Sequence, residues 1–199
     1  MKFILTRHCE TDWNRESRLQ GRSDTSLNEY GWIEAEELAQ KLKVFDVKQI
    51  VSSDLKRAKE TAWTIKKYID VPVIFDERLR ECSFGELEGK KREEAARRYG
   101  FLGGNQEGLW HGSYLNYNFE PFGGESRDNV LRRHLSLLDE LLENDTPEPA
   151  LLIGHGTGLN TLLVHLKKPL IQRGEYIEIE YPLERIRPDS TRSIRGGQS

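Results

Sequence analysis

Short apolar runs alternate with helical patterns along most of this chain, and this alternation restricts the possible fold more than any other feature. Runs with the length of buried strands lie at residues 3–5, 49–52, 71–75 and 150–153. From Leu55 to Ile69, apolar residues recur at spacings of 3, 4, 3 and 4, which predicts a helix capped by Asp54. Asn28 is predicted to cap another helix that ends near Leu42. Strands alternating with helices predict an α/β fold whose mostly parallel sheet is covered on both faces.

The composition excludes several classes of protein. The 199 residues include 30 basic and 33 acidic ones, and the net charge of −3 provides no overall positive field for a nucleic acid partner. The two cysteines are too few for a disulfide framework or a zinc-ligand cluster. The apolar start is too short for a signal peptide, and no run approaches the roughly 20 apolar residues of a membrane span. We therefore predict a cytoplasmic protein with no membrane partner.

Charged and histidine side chains follow the ends of the predicted strands. Arg7 and His8 end the first strand, and Arg57 lies one turn after the second. Glu81 lies in the segment after the third strand, and His155 ends the fourth. Ligands of parallel α/β sheets bind beyond the carboxyl ends of the strands, so we expect these residues to share one site. The glycines on either side of His155 are expected to let the backbone approach a ligand closely.

These residue types point to phosphoryl chemistry. Two arginines that converge on one point require an anion there, and guanidinium groups match phosphate oxygens. The same two cations lower the pKa of a nearby histidine such as His8, and a neutral imidazole is a nucleophile. A carboxylic acid such as Glu81 can protonate a leaving alcohol and later deprotonate water. Phosphoryl transfer needs little beyond such positioning and charge stabilisation.

Six motifs, in order from residue 3 to about 166, resemble those of one protein family. They are Arg7-His8-Cys9-Glu10-Thr11 with Asn14, Leu19-Gln20-Gly21 with Asp24 to Leu27, Ser52 to Ala62, Leu79 to Gly89, Gly123 to Ser126, and Gly154-His155-Gly156. In this number and order they resemble the histidine phosphatase superfamily, also called the phosphoglycerate-mutase-like family. Cys9 is a departure, because the family usually has glycine at that position.

The resemblance implies a fold and a domain organisation. It implies a three-layer α/β/α sandwich over residues 1–187, with a small cap at about 82–125 inserted after the third strand. Within the cap, the basic run Lys90-Lys91-Arg92 is predicted to be a solvated helix face, with contact to an acidic substrate as the alternative. The polar end of the chain, residues 188–199, is predicted to be a disordered tail.

The resemblance also implies roles for individual residues. His8 is the expected nucleophile that becomes phosphohistidine, and Glu81 is the expected acid and then base. The phosphoryl oxygens are expected to be held by Arg7, Arg57 and His155. Further substrate contacts are expected from Asn14, Gln20, Gly21, Gly156 and Thr157. The resemblance implies no metal and no organic cofactor, and the remaining histidines, His111, His134 and His165, are assigned structural roles.

The family contains both phosphatases and mutases. Its phosphoglycerate mutases carry Trp-Arg-Arg-Ser in the cap, whereas the nearest string here, residues 110–113, is Trp-His-Gly-Ser and lacks both arginines. We therefore predict a phosphomonoesterase that hydrolyses a small phosphorylated metabolite, as a monomer or a homodimer. Two alternatives stay open: a mutase of the phosphoglycerate type, and a non-catalytic phosphate-binding module.

The two cysteines each follow a predicted catalytic residue, since Cys9 follows His8 and Cys82 follows Glu81. One hypothesis is that the thiols lie close together and lock the site by oxidation. The simpler hypothesis is that Cys9 is a small buried filler.

Overall fold

The structure is a computed structural model that describes residues 1–99, 114 and 116–182. In this part of the chain five strands form one sheet: β1 (Lys2–Arg7), β2 (Gln49–Ser52), β3 (Val73–Phe75), β4 (Ala150–Gly154) and β5 (Tyr176–Glu180). Their order across the sheet is β3-β2-β4-β1-β5. Strands β1 to β4 are parallel and β5 is antiparallel to β1. Arg7 lies beside Gly154 and Ser52 beside Ile153, so the parallel strands end at the same edge of the sheet.

The described residues form six α-helices: α1 (Asp12–Arg15), α2 (Glu29–Leu42), α3 (Lys56–Lys66), α4 (Arg92–Tyr99), α5 (Arg127–Glu143) and α6 (Gly156–His165). The predicted cap of α2 is confirmed, because the Asn28 side chain accepts a hydrogen bond from the Gly31 N–H at 2.8 Å. The predicted cap of α3 is wrong. Leu55 holds the N-cap position, and the Asp54 carboxylate instead accepts two hydrogen bonds from the Arg80 guanidinium, at 2.6 and 2.7 Å.

The helices cover both faces of the sheet, which confirms the α/β sandwich. Alternate residues of a strand point to opposite faces, and the two core clusters divide accordingly. Ile4 packs with residues of α2 and α3, whereas Phe3 and Leu5 pack with residues of α5 and α6. The strand-to-helix alternation of the sequence therefore corresponds to a sheet between two helical layers.

A third apolar cluster lies apart from the sheet and combines residues of the predicted cap with Leu19 and Val130. Its buried members are Leu19, Cys82, Phe84, Leu87, Ala95, Tyr117, Phe119 and Val130. A backbone hydrogen bond connects two parts of the chain near this cluster, because the Gly89 N–H donates to the Leu19 carbonyl at 2.8 Å. Residues 100–113 of the predicted cap and the predicted disordered tail, 188–199, lie outside the described residues. None of the described helices combines the length and the apolar character that crossing a membrane requires.

Candidate active site

A cavity of about 420 Å³ opens at the sheet edge where β1 and β4 end. Most of the predicted site residues line it, namely Arg7, His8, Asn14, Gln20, Arg57, Glu81, Gly156 and Thr157. The wall that the described residues form does not include Gly21 or His155. Gly21 lies behind Arg57, which donates to its carbonyl, and the His155 ring lies 5.0 Å from the ring of His8. All the predicted site residues therefore meet at one edge of the sheet.

His8 is buried at the cavity wall with one ring nitrogen engaged. Its Nδ1 lies 2.7 Å from the backbone carbonyl oxygen of Cys9. A carbonyl only accepts, so Nδ1 carries the proton of the neutral ring and Nε2 carries the lone pair. Burial lowers the pKa of His8 well below its usual value, and the charges of Arg57 and Arg7 lower it further. The imidazole is therefore neutral near pH 7 and has a nucleophilic nitrogen.

Arg57 is a fully buried cation whose hydrogen bonds go to uncharged oxygens. Its Nη1 donates to the Ser23 carbonyl at 2.7 Å, and its Nη2 donates to the Gly21 carbonyl at 2.7 Å. Burial lowers the pKa of Arg57 to about 10, so the group stays charged near pH 7. Its Nε has no hydrogen-bond partner among the described residues. An anion that enters the cavity would supply the acceptor that this buried, charged donor lacks.

Gly21 has a structural reason to be glycine. Its φ angle is +52°, a conformation that glycine adopts at little cost, and a Cβ would collide with the Glu88 carboxylate. Its carbonyl in turn holds Arg57. The geometry gives Gly21 the role of positioning a cation rather than of touching the substrate itself.

The glycines beside His155 make room for side chains. A Cβ on Gly156 would lie 2.7 Å from Arg7 Nη2, and a Cβ on Gly154 would lie 2.9 Å from Leu159 Cγ. Protein side chains therefore occupy the space beside these glycines, whereas Gly156 itself lines the cavity, so a close approach of its backbone to a ligand stays a prediction. Gly156 lets the Arg7 guanidinium lie close to the start of α6. Arg7 Nε is buried and has no hydrogen-bond partner among the described residues.

His155 is completely buried behind His8. Its Nε2 lies 2.8 Å from Ser53 Oγ, and Ser53 Oγ also accepts from the Leu55 N–H at 3.3 Å. If the hydroxyl donates its own proton to Nε2, the proton of the neutral ring is on Nδ1. Burial lowers the pKa of His155 well below its usual value, and the charge of Arg57 lowers it further. His155 Nδ1 has no hydrogen-bond partner among the described residues. Its proton is therefore available for a hydrogen bond to the oxygen of a bound ligand.

Glu81 is attached to the N-terminus of α6 by backbone hydrogen bonds. Its Oε2 accepts from the Thr157 N–H at 3.1 Å, and its Oε1 accepts from the Gly158 N–H at 3.0 Å. The Cys82 N–H adds a third bond at 2.9 Å. The free N–H groups at this helix start therefore hold the Glu81 carboxyl group in place at the cavity wall. The Thr157 N–H, expected to contact the phosphoryl group, here positions Glu81 instead.

Two side-chain amides at the cavity wall are oriented by neighbouring hydroxyls. The Asn14 carbonyl oxygen accepts from Thr11 Oγ1 at 3.0 Å, within the capping box that starts α1. The Gln20 carbonyl oxygen accepts from Thr25 Oγ1 at 2.6 Å. Because the acceptor end of each amide is engaged, the NH₂ end is the part left to bind a ligand. Asn14 and Gln20 therefore add uncharged donors to the arginines.

The cavity contains residues that sequence reasoning did not select. They are Arg18, Leu19, Phe84, Arg92, Tyr114, Leu170, Gln172 and Arg173. Arg92 had been assigned to a solvated helix face, and its place on the wall agrees with the alternative, contact with an acidic substrate. Arg173 follows α6 in a segment without a recognisable motif, so no sequence signal marked it. Ser53 and Gly158 act behind the wall; Ser53 lies within the motif Ser52 to Ala62, and Gly158 lies outside the six motifs.

The cysteines are buried thiols in separate places. Cys9 packs with residues of α2 and α3, whereas Cys82 belongs to the third apolar cluster, with Leu19 and Phe84. Burial raises the pKa of Cys9 to about 12 and raises that of Cys82 as well, so both stay protonated and unreactive. This arrangement favours the buried-filler hypothesis. Among the described residues, no group of three or more His, Cys, Asp or Glu side chains is placed to hold a metal ion.

Comparison with known sequences identifies relatives along most of the chain. The family model of the histidine phosphatase superfamily, branch 1, matches residues 3–183. A relative from Cronobacter sakazakii, named "Probable phosphoglycerate mutase GpmB", is 35% identical over 167 residues, or 82% of this chain and 73% of the relative. A "Probable phosphatase" of Schizosaccharomyces pombe is 33% identical over 171 residues, or 83% and 73% of the two chains.

Solved structures are similar over nearly the same range. Bacillus stearothermophilus YhfR has a TM-score of 0.76 at 30% identity, covering 90% of each chain. A mycobacterial glucosyl-3-phosphoglycerate phosphatase in complex with VO3 has a TM-score of 0.77 at 28% identity, covering 90% of this chain and 92% of the other. The sequence match, the shared fold and the histidine–arginine site at the edge of the sheet agree: this chain belongs to the histidine phosphatase superfamily.

Proposed function

We propose that this protein is a phosphomonoesterase that hydrolyses a small phosphorylated metabolite through a phosphohistidine intermediate on His8. The observation that carries the proposal is the state of His8. Its Nδ1 is engaged by the Cys9 carbonyl, its Nε2 has the lone pair, and the buried Arg57 and the half-buried Arg7 line the same cavity. Family membership supports phosphatase or mutase chemistry, and the names of the relatives include both activities.

The first half of the proposed reaction transfers the phosphoryl group to the enzyme. His8 Nε2 attacks phosphorus while the bond from phosphorus to the ester oxygen breaks. Glu81 gives a proton to the leaving oxygen, and the product alcohol departs. Arg7, Arg57 and the Nδ1–H of His155 stabilise the negative charge on the phosphoryl oxygens.

The second half returns the enzyme to its starting state. Glu81, now deprotonated, takes a proton from a water molecule as the water oxygen attacks phosphorus. The bond from phosphorus to His8 Nε2 breaks, inorganic phosphate leaves, and Nε2 regains its lone pair. Each turnover consumes one water and yields one alcohol and one phosphate.

Mutase activity is the second candidate, and the relatives named probable phosphoglycerate mutase favour it. A mutase returns the phosphoryl group to a second hydroxyl of the substrate, so the phosphoenzyme must exclude water. The absence of the Trp-Arg-Arg-Ser string at residues 110–113 argues against it. Conversion of 3-phosphoglycerate to 2-phosphoglycerate faster than phosphate release would establish the mutase.

The test compares two histidine variants on a panel of phosphomonoesters in the presence of EDTA. His8→Ala is expected to reduce phosphate release by at least about 1,000-fold, since no other group forms the covalent intermediate. His165→Ala is the matched control, because His165 is exposed at the end of α6, and it is expected to keep wild-type activity.

The intermediate itself is detected by acid-labile, base-stable labelling from a radioactive phosphoester, present in wild type and absent in His8→Ala. Unchanged activity in His8→Ala, or loss of wild-type activity in EDTA, would contradict the proposed mechanism. A wild-type protein that binds inorganic phosphate but hydrolyses no ester would establish the non-catalytic module.

A further inference from the structure

Glu81 lies in a segment that forms neither a strand nor a helix. Residues 80–84 connect two short 3₁₀ helices, at Glu77–Leu79 and Gly85–Leu87. The carbonyl groups of such a segment lack the partners that a sheet or a helix supplies, so other donors have to bind them. The start of α6 holds the Glu81 carboxyl group, but it does not hold the main chain that carries this side chain.

Arg133 of α5 supplies donors to this main chain. Its Nη1 donates to the carbonyls of Arg78 and Arg80, at 2.6 Å each, and its Nη2 donates to the Glu81 carbonyl at 3.0 Å. The Arg133 side chain is 14% exposed, and it does not belong to the cavity wall that the described residues form. From behind the wall, Arg133 therefore binds the backbone before Glu81 and at Glu81 itself.

Glu125 binds the other side of the same guanidinium group. Arg133 Nε donates to Glu125 Oε1 at 3.1 Å, and Arg133 Nη2 donates to Glu125 Oε2 at 3.2 Å. A guanidinium group has five N–H donors in one plane, and these contacts together with the three to the main chain engage all of them. Lysine has three donors on one nitrogen and could not bind this set of acceptors.

Glu125 also binds the main chain just after Glu81. The Glu125 N–H donates to the Ser83 carbonyl at 2.9 Å, and Glu125 Oε2 accepts from the Ser83 N–H at 2.8 Å. Burial raises the pKa of Glu125, but the hydrogen bond from Arg133 and the charge of Arg133 outweigh this effect and leave the pKa below its usual value. Glu125 lies in the motif Gly123 to Ser126, to which the proposed reaction assigns no role.

We propose that Arg133, oriented by Glu125, is a positioning residue that places Glu81 for proton transfer to the leaving oxygen. This inference rests on the proposed role of Glu81 as the acid. A proton donor has to lie within about 2.6–3.2 Å of its acceptor, so a small shift of the main chain lowers the rate strongly. Because Arg133 lies behind the wall, we expect its loss to impair proton transfer while His8 keeps its place.

The test compares two kinds of ester that need the acid to different degrees. An alkyl phosphate releases an alcohol that has to be protonated, whereas p-nitrophenyl phosphate releases a phenolate that is stable without a proton. The alkyl ester used is the one that the wild type hydrolyses fastest in the panel of phosphomonoesters. Arg133→Gln is expected to lower kcat/KM for this ester by about 10- to 100-fold, and for p-nitrophenyl phosphate by less than about 3-fold. A merely structural role would lower both values equally.

A double-mutant cycle with Glu81→Gln shows whether the effect passes through the acid. Glu81→Gln alone is expected to impair the alkyl ester selectively and more strongly than Arg133→Gln does. When Arg133→Gln is added to Glu81→Gln, we expect no further selective loss, because the group that Arg133 positions is already gone. Arg132→Gln is the matched control, since Arg132 is the exposed neighbour on α5 and bonds to Asn129, and it is expected to keep both rates.

Arg133→Lys tests the inference if Arg133→Gln fails to fold. It keeps the positive charge beside Glu125, but it cannot bind all the carbonyls at once. We expect its selective loss for the alkyl ester to lie between those of the wild type and Glu81→Gln.

The results separate the two proposals. Equal losses for both esters, no loss for either, or a further selective loss in the Glu81→Gln background would overturn the positioning role and leave the phosphatase standing. A wild type that hydrolyses only p-nitrophenyl phosphate would overturn the role of the acid and, with it, the positioning role. A wild type that hydrolyses no ester would overturn the phosphatase and the positioning role together.

Discussion

At the residue scale, the site depends on where two neutral imidazoles carry their protons. The Cys9 carbonyl assigns the proton of His8 to Nδ1, and the bond to Ser53 favours Nδ1–H in His155. One ring therefore presents a lone pair and the other a donor, although the two rings lie only 5.0 Å apart. A backbone carbonyl performs the first assignment, so it does not depend on the side chain at position 9. This explains how cysteine can stand where the family usually has glycine.

Ser53→Ala tests the second assignment. Removing the hydroxyl leaves His155 Nε2 buried without a partner and frees the ring to adopt the other tautomer. We expect kcat to fall about 10-fold or more, with the free energy of unfolding lowered by about 1 kcal/mol. Steady-state kinetics and urea unfolding measure the two effects. Ser53→Thr retains the hydroxyl and is expected to recover part of the loss in kcat; equal losses in both variants would contradict the role of the hydroxyl.

At the element scale, the start of helix α6 organises much of the site. Its first residues hold Glu81 through backbone N–H groups, and Gly156 accommodates Arg7. The helix is supported from behind by His134 of α5, since a Cβ on Gly158 would lie 2.9 Å from the His134 ring. The position of the Glu81 carboxyl group therefore depends on how two helices pack.

Gly158→Ala tests that packing. Alanine normally favours a helix over glycine by about 1 kcal/mol, but here its methyl group would collide with the buried His134 ring. We expect the helix start to shift, kcat to fall about 10- to 100-fold, and the free energy of unfolding to fall by about 1–3 kcal/mol.

The double variant Gly158→Ala/His134→Ala supplies the control, because removing the ring creates space for the methyl group. A double-mutant cycle in kcat and in urea unfolding measures the coupling. Strictly additive losses would mean that Gly158 does not act through contact with His134.

At the scale of the whole molecule, folding buries three histidines in their neutral form. Burial lowers the pKa of His8, His134 and His155, in the case of His134 to about 3. Their side chains are nearly inaccessible, and Arg57 or Arg133 lies close to each. The arrangement that keeps His8 nucleophilic therefore also makes the fold sensitive to acid.

The free energy of unfolding is expected to fall as the pH drops below about 6.5. In this range the unfolded chain binds protons at these histidines and the folded protein does not. Each histidine therefore lowers the free energy of unfolding by up to about 1.4 kcal/mol per pH unit. Urea unfolding at pH 7.5, 6.5 and 5.5 measures the slope. His134→Gln is expected to reduce the slope by about a third. Equal stability at pH 7.5 and 5.5 would contradict the neutral burial of these rings.

Much of the fold and the principal site residues could be predicted because the deciding interactions are local. Alternating apolar runs determine which stretches become strands, and parallel strands bring their carboxyl ends, with Arg7, His8 and His155, to one edge. The Asn28 cap depends on residues within one turn, so its prediction held. The Asp54 cap failed because Arg80, 26 positions away, competes for the carboxylate.

The sequence by itself therefore determined the α/β sandwich, the family, and the histidines and arginines proposed to carry the chemistry. Only the tertiary structure decided which nitrogen of His8 has the lone pair, why a side chain would not fit on either side of His155, and that Arg92 and Arg173 line the cavity. The physical reason is distance along the chain. Hydrophobic periodicity is encoded in neighbouring residues, whereas Arg173 reaches Glu10 across 163 positions through a contact that forms only when the chain folds.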